Sequence, residues 1–149
     1  MKKITMMFLA AVMCVGLAAC GGPDYSSRTI DYLGNDFSWD MTAEDAEAYI
    51  EENAVVSNRI ETEEHEDYTI ISDDHYIFRF DSEGTMEFAK IRDTGSYQDI
   101  FDLLKQEYGD PDEEKDDSYY WYGTMDGRNA YMCLFEGGSV NYIEFAPED

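Results

Sequence analysis

The feature that most restricts the fold is a pair of strand triplets with very short spacers. "YTIIS", "HYIFRF" and "TMEFAKIR" follow one another after residue 67, each rich in β-branched and aromatic residues. Asp73-Asp74 and Asp81-Ser82-Glu83-Gly84 divide them, and both spacers are turn-forming. Neighbours joined this tightly must pair antiparallel, because a parallel crossover needs a dozen residues or more. "SYYWYGT", "NAYMCLFE" and "VNYIEFA" repeat the plan, divided by Met125-Asp126-Gly127-Arg128 and Gly137-Gly138-Ser139.

A helical pattern precedes each triplet. In "YLGNDFSWDMTAEDAEAYIEEN", Thr42 with Asp45 predicts an N-cap. Ala46, Tyr49 and Ile50 give the i, i+3, i+4 face of a helix ending near Asn53, after which a polar stretch runs to Asp67. Ser96 with Asp99 predicts the second cap, and Tyr97, Ile100, Phe101, Leu103, Leu104 and Tyr108 the second face. Gly109 ends that helix and Pro111 prevents its continuation.

A three-turn helix and a three-stranded meander cannot each bury an apolar face alone. The expected fold is therefore α+β: a duplicated helix-plus-three-strand unit, with pseudo-repeats 42–92 and 96–146, in one domain over 33–149. Its antiparallel sheet carries the two helices on one face. The other face is then partly solvated and aromatic, which is where a binding site belongs.

The N-terminus is a secretory signal over residues 1–19. Lys2 and Lys3 start it, Ile4 to Ala19 form its apolar run, and small residues close it. The run falls short of the roughly 17 to 25 residues a spanning helix needs. Leu17-Ala18-Ala19-Cys20 resembles the lipobox of bacterial lipoproteins. That resemblance implies cleavage before Cys20, a diacylglycerol on its sulfur, and a domain anchored by lipid to the cell membrane or outer envelope, outside the cytoplasm. Acyl chains such as palmitate on one residue satisfy the two-chain requirement for stable anchoring. The competing reading is ordinary secretion with an incidental cysteine. Residues 20–32 are then the lipidated cysteine and a tether, of which Gly21 to Ser27 reads as flexible.

Residues 20–149 hold eight basic against 34 acidic side chains, a formal charge of −26. Nucleic acid is excluded, since it needs a basic footprint, whereas a cationic partner is favoured. The aromatic content of 15% and the periodic apolar residues mark a folded acidic domain, not a disordered one. With Cys14 inside the expected signal and Cys20 lipidated as the lipobox resemblance implies, Cys133 is left with no cysteine to pair with. With Tyr131 and Phe135 on its own strand face, it reads as a small buried apolar residue rather than a nucleophile.

No catalytic constellation is present in the sequence, so the expectation is a non-enzymatic chain without a cofactor. Glu64-His65-Glu66 begins like a zinc helix, but Thr69 stands where the second histidine belongs. Gly137-Gly138-Ser139 lacks a Gly-x-Ser-x-Gly frame. "ETEEHED" (61–67) and "DPDEEKDD" (110–117) concentrate negative charge. Asp110, Asp112, Glu114 and Asp116 alternate as Ca²⁺ ligands do, yet Lys115 replaces the loop's glycine and Trp121 its bidentate glutamate. A solvated loop, weak Ca²⁺ binding and docking of a basic partner all remain open there.

"SYYWYG" carries the candidate binding residues. In a strand, Tyr119 and Trp121 share one face while Tyr120 and Tyr122 share the other. One pair then belongs to the core and the other to the open side, where Tyr and Trp are common anchors. Coverage of both faces, or cross-strand stacking alone, would explain the four equally.

A second resemblance spans most of residues 33–146. The helix opened by "WDMTAEDA", the helix closed by "LLKQEYGDP" and the "YYWYG" strand make the domain similar to small secreted lipoproteins. It looks like the fold group of the β-barrel-assembly lipoproteins and β-lactamase inhibitor proteins. That resemblance implies a non-enzymatic protein that binds other proteins through an exposed sheet. The departure is Asp40, where such families place a glycine. The leading expectation is thus a lipid-anchored envelope lipoprotein that binds a protein or peptide, with the negative charge favouring a basic one. The alternative is a lipoprotein that binds a small ligand or Ca²⁺ through its acidic loops.

Overall fold

The computed structural model describes residues 22–36, 38–53 and 59–148; residues 1–21, including the expected signal and Cys20, lie outside that set. A short 3-10 turn, Tyr25–Ser27, leads into α1 (Ala43–Asn53) and four strands. These are β1 (Glu61–Glu64), β2 (Tyr68–Ser72), β3 (Tyr76–Asp81) and β4 (Met86–Asp93). Next come α2 (Tyr97–Tyr108), β5 (Glu113–Lys115), β6 (Ser118–Met125), β7 (Arg128–Glu136) and β8 (Asn141–Pro147). All eight strands join one antiparallel sheet in the order β1-β2-β3-β4-β8-β7-β6-β5. The class is α+β, with strand predominating.

Register fixes which side chains share a side. Ile71, Phe78, Ala89, Phe145, Met132 and Trp121 are successive cross-strand partners from β2 to β6, and all six are buried. Tyr49 of α1 meets Tyr76 and Phe78 edge-on, at 5.3 and 6.0 Å between ring centres. Phe101 of α2 lies 4.5 Å from Tyr119 and 6.2 Å from Trp121. A bulge between Arg79 and Phe80 leaves Glu87 without a partner, since Arg79 pairs with Phe88 and Phe80 with Met86. The extra residue lets Met86 turn inward while Phe88 turns outward.

The helix ends follow their sequence, with one difference. Thr42 and Asp45 cap α1 reciprocally: the Thr42 N–H donates to Oδ2 of Asp45 at 2.9 Å, and the Asp45 N–H to Oγ1 of Thr42 at 3.2 Å. Gly109, with φ of 85°, closes α2 by donating its N–H to the Lys105 carbonyl. Ser96 occupies the N-cap of α2, but its side chain makes no cap hydrogen bond. Leu103, expected on the inner face of α2, is instead 59% exposed, while Ile100 and Leu104 are buried.

Both acidic runs contain strands that the sequence pattern did not predict. β1 and β5 are the two sheet edges, and every residue in them is exposed. Asp116 and Asp117, with φ of 51° and 61°, form the two-residue turn joining Lys115 to Ser118. Charged, very short edges resist pairing with other chains.

The domain also begins earlier than residue 33. Ile30 and Tyr32 are core residues, 2% and 4% exposed. The Ile30 N–H donates to the Thr124 carbonyl at 2.9 Å and the Thr124 N–H to the Arg28 carbonyl at 3.0 Å. Thr29 and Thr124 thus form a parallel bridge beyond the end of β5, so the second half of the expected tether is a strap on β6. Gly123 permits the approach: a Cβ there would lie 2.8 Å from Cγ and 2.9 Å from the carbonyl oxygen of Arg28.

Candidate binding face

The second row of side chains occupies the other side of the sheet. From β2 to β6 it includes Tyr68, Arg79, Phe88, Lys90, Tyr142, Glu144, Phe135, Tyr131 and Tyr120, all half-buried. Rings and cations alternate across it. The Arg79 guanidinium lies 4.1 Å over the Tyr68 ring and 5.9 Å from Phe88. The Lys90 ammonium follows, 4.3 Å over Phe88 and 5.3 Å from Phe135, which stacks on Tyr142 at 5.2 Å.

Two of the three cations on this side, Arg79 and Lys90, have a carboxylate partner, and Arg92, the cross-strand neighbour of Tyr142, donates to the Asp73 carbonyl at 2.8 Å. Nζ of Lys90 is 2.8 Å from Oε2 of Glu144, with side chains 21% and 16% exposed. The Tyr131 hydroxyl donates to the other Glu144 oxygen at 2.8 Å, so both carboxylate oxygens are held. Nε of Arg79 pairs with Glu87 at 2.6 Å. Burial, then the Glu144 carboxylate, raises the Tyr131 pKa, and burial raises that of Tyr120 to about 12, so both phenols stay neutral donors. Burial likewise pushes the Cys133 thiol up to about 11, which makes it unreactive at neutral pH.

The four candidate aromatics divide. Trp121 is fully buried beside Phe101 of α2, and its indole N–H donates to the Gly109 carbonyl at 3.0 Å. Tyr119 lies beside it against Phe101, so this pair is core and leaves the candidate face. Tyr120 and Tyr122 point to the other side and stack at 6.4 Å. Tyr122 is only 9% exposed, because Tyr25 of the N-terminal turn meets it edge-on at 5.6 Å and Glu113 accepts from its hydroxyl at 2.6 Å. Tyr25 in turn donates its hydroxyl to Glu148. The open part of the face is thus centred on Phe88, Lys90, Phe135 and Tyr142. Sequence reasoning missed these four as a group, although alternation in "FAKIR" already sets Phe88, Lys90 and Arg92 opposite Ala89 and Ile91.

The acidic candidates do not converge. Asp110 pairs with Lys105 at 2.5 Å; Asp112 pairs with Arg28 at 3.1 Å and accepts from the Tyr122 N–H. Glu114 stands exposed on β5, and Asp116 belongs to the turn. Among the described residues, no group of His, Cys, Asp or Glu side chains is arranged to hold a metal. A hollow of about 410 Å³ beside α1 is lined partly by Asp36, Asp45, Glu52 and Asp126. There Asp45 is committed to Thr42 and Asp126 accepts from the Tyr32 hydroxyl and Trp39 N–H. His65 stacks on Tyr68 at 4.3 Å beside Glu63.

Compared with protein families, curated proteins and solved structures, the chain matches none.

Proposed function

We propose that this chain is a lipoprotein of the cell envelope, anchored through Cys20, whose non-catalytic domain binds a protein or peptide on the open face of its sheet. The observation that carries this reading is the face itself. Phe88, Phe135, Tyr142 and Tyr131 are half-buried on the sheet side opposite the row that Tyr49 and Phe101 contact, around a Lys90–Glu144 pair satisfied within the chain. Large rings held rigid by stacking supply contact area at little entropic cost, which suits them to anchor a partner. Cys133 held neutral, and acids committed to caps, turns and ion pairs, support the non-enzymatic reading.

The finer architecture in this reading is a duplicated helix-plus-strands unit with both helices on the side opposite the binding face. A shift of 54 residues carries α1 onto α2, β3 into β7 and β4 onto β8. The same shift carries Phe88 to Tyr142 and Lys90 to Glu144. Since Lys90 and Glu144 are themselves direct partners, they lie on the pseudo-twofold axis. The ring contacts of Tyr49 and Phe101 with opposite ends of one buried row support the placement of the helices.

The test is chemical cross-linking in native envelopes with the full chain and a Phe88→Ala/Phe135→Ala variant. A stoichiometric partner held by the parent and lost by the folded variant is expected. Equal recovery with both would refute the face. A Cys20→Ser chain should lose its acyl label and leave the membrane fraction; retention in that fraction would refute the anchor.

A further inference from the structure

We infer that the partner accepted by this face has an apolar contact centre with basic side chains where it borders β1; the inference rests on the open face being the binding surface. Of the three cations at the centre only Arg92, beside Tyr142, has no carboxylate partner among the described residues, and its Nη1 is held by the Asp73 carbonyl at 2.8 Å. Lys90 is paired with Glu144 and Arg79 with Glu87, and displacing either would strand a half-buried ion. What remains for contact is ring area: Phe88, Phe135, Tyr142 and Tyr131.

The flanks are different. Glu61 and Glu63 are the cross-strand partners of Ser72 and Ile70, which puts both carboxylates on the open side at the β1 edge. Glu113 is the partner of Tyr120 and occupies the same side at the β5 edge. The face is therefore an aromatic centre with one acidic border, at β1, because at the β5 edge Glu113 shares the open side with Lys115 and the two charges balance. A second copy of this chain would bring another charge of −26 against that border, and an acidic protein would meet the same repulsion. Screening confines the effect to roughly 8 Å, so the border acts on the rim of a docked partner rather than on its approach. Lys or Arg on the β1 side of an aliphatic or aromatic patch fits that pattern.

The test uses the full chain in nanodiscs of neutral phosphatidylcholine, with empty nanodiscs subtracted. Three dye-labelled peptides share the centre Trp-Val-Phe-Val-Trp and are framed by Lys-Lys, Gln-Gln or Glu-Glu at each end. The Lys-framed peptide should bind about tenfold or more tighter than the Glu-framed one at low salt, with the gap closing at high salt. Hydrogen exchange should show protection in β4, β7 and β8, and E61K/E63K should shrink the gap. Equal affinities with protection on these strands would overturn the basic side chains and leave the face reading standing. Absence of protection there with every peptide would overturn both. A Lys-framed peptide that protects only 61–67 or 110–117 would show attraction by charge alone and overturn the inference.

Discussion

The strap on β6 makes Gly123→Ala an informative perturbation. Gly123 is outside the left-handed region, so alanine strains no backbone and even gains about 0.4–1 kcal/mol by narrowing the unfolded ensemble. Against this, the new methyl meets Cγ and the carbonyl oxygen of Arg28 at 2.8 and 2.9 Å and Cγ1 of Ile30 at 3.0 Å. The backbone oxygen cannot rotate away, so the strap itself must move. Overpacking of this kind costs about 1–3 kcal/mol. Losing the two hydrogen bonds that join Arg28 and Ile30 to Thr124 adds roughly 0.5–1.5 kcal/mol each. If Ile30 also leaves its buried site, about 1.5–3 kcal/mol more is lost. With Ile30 still seated the net expectation is a destabilisation of about 1–6 kcal/mol, and the melting temperature falls by roughly 4 °C for each kcal/mol in a domain of this size. Thermal denaturation followed by circular dichroism reads the shift, and hydrogen exchange at Ile30 and Thr124 reports whether the strap has lifted. An unchanged melting temperature with unchanged protection at both amides would refute the close approach of strap and strand.

A methyl on Gly137 would meet the edge of the half-buried Tyr142 ring, which can yield only by leaving its stack on Phe135. Gly137→Ala should therefore break the Phe135–Tyr142 stack and weaken partner binding, at a stability cost of about 1 kcal/mol; near-ultraviolet circular dichroism checks the stack. Lys90→Met leaves Glu144 with only Tyr131 and should destabilise by about 1–2 kcal/mol, the range reduced because the pair is partly exposed, whereas Lys90→Met/Glu144→Gln should recover most of the loss in urea melts. The Cys133 pKa rises from 9.0 to about 11 on folding. Between those values the unfolded chain binds fewer protons than the folded one, so stability should fall as pH rises from 9 towards 11. Cys133→Ala should flatten that part of the curve, and an equal slope in the variant would refute the assignment.

Elements whose side chains alternate or recur were legible from the sequence, because burial itself imposes those periods. "HYIFRF" buries Tyr76, Phe78 and Phe80, and the α1 face buries Ala46 and Ile50 as its spacing required. β1 and β5 carry no such period. Backbone pairing at a solvated edge asks nothing of the side chains, so "ETEE" and "EEK" look like loop. Leu103 shows the converse error: its spacing fits the inner face of α2, yet that side of the helix turns away from the sheet. The strap could have been suspected from Ile30 and Tyr32 alternating in "TIDY", but what they pack against is set by the Thr29–Thr124 bridge, 95 residues apart. The candidate site was hidden for the same reason. Lys90 and Glu144 meet only because β4 and β8 are neighbours, a sheet order that no local pattern encodes.

The distribution of charge follows from the same geometry. A sheet can be recruited at an edge, through unpaired backbone, or on a face, through side chains. Here one edge is a four-residue strand with three glutamates. The other is shared between Glu113–Lys115 and the strap that covers Thr124. An approaching chain at either edge must desolvate or repel carboxylates before it gains one backbone hydrogen bond. The face has no such guard, because Arg79 and Lys90 are paired, Arg92 is held by a backbone carbonyl, and the rings lie half-open. Acid at the edges therefore discourages indiscriminate strand addition while leaving the aromatic face accessible. Under the proposed reading, contact is directed to a surface where the side chains, rather than the backbone, select the partner.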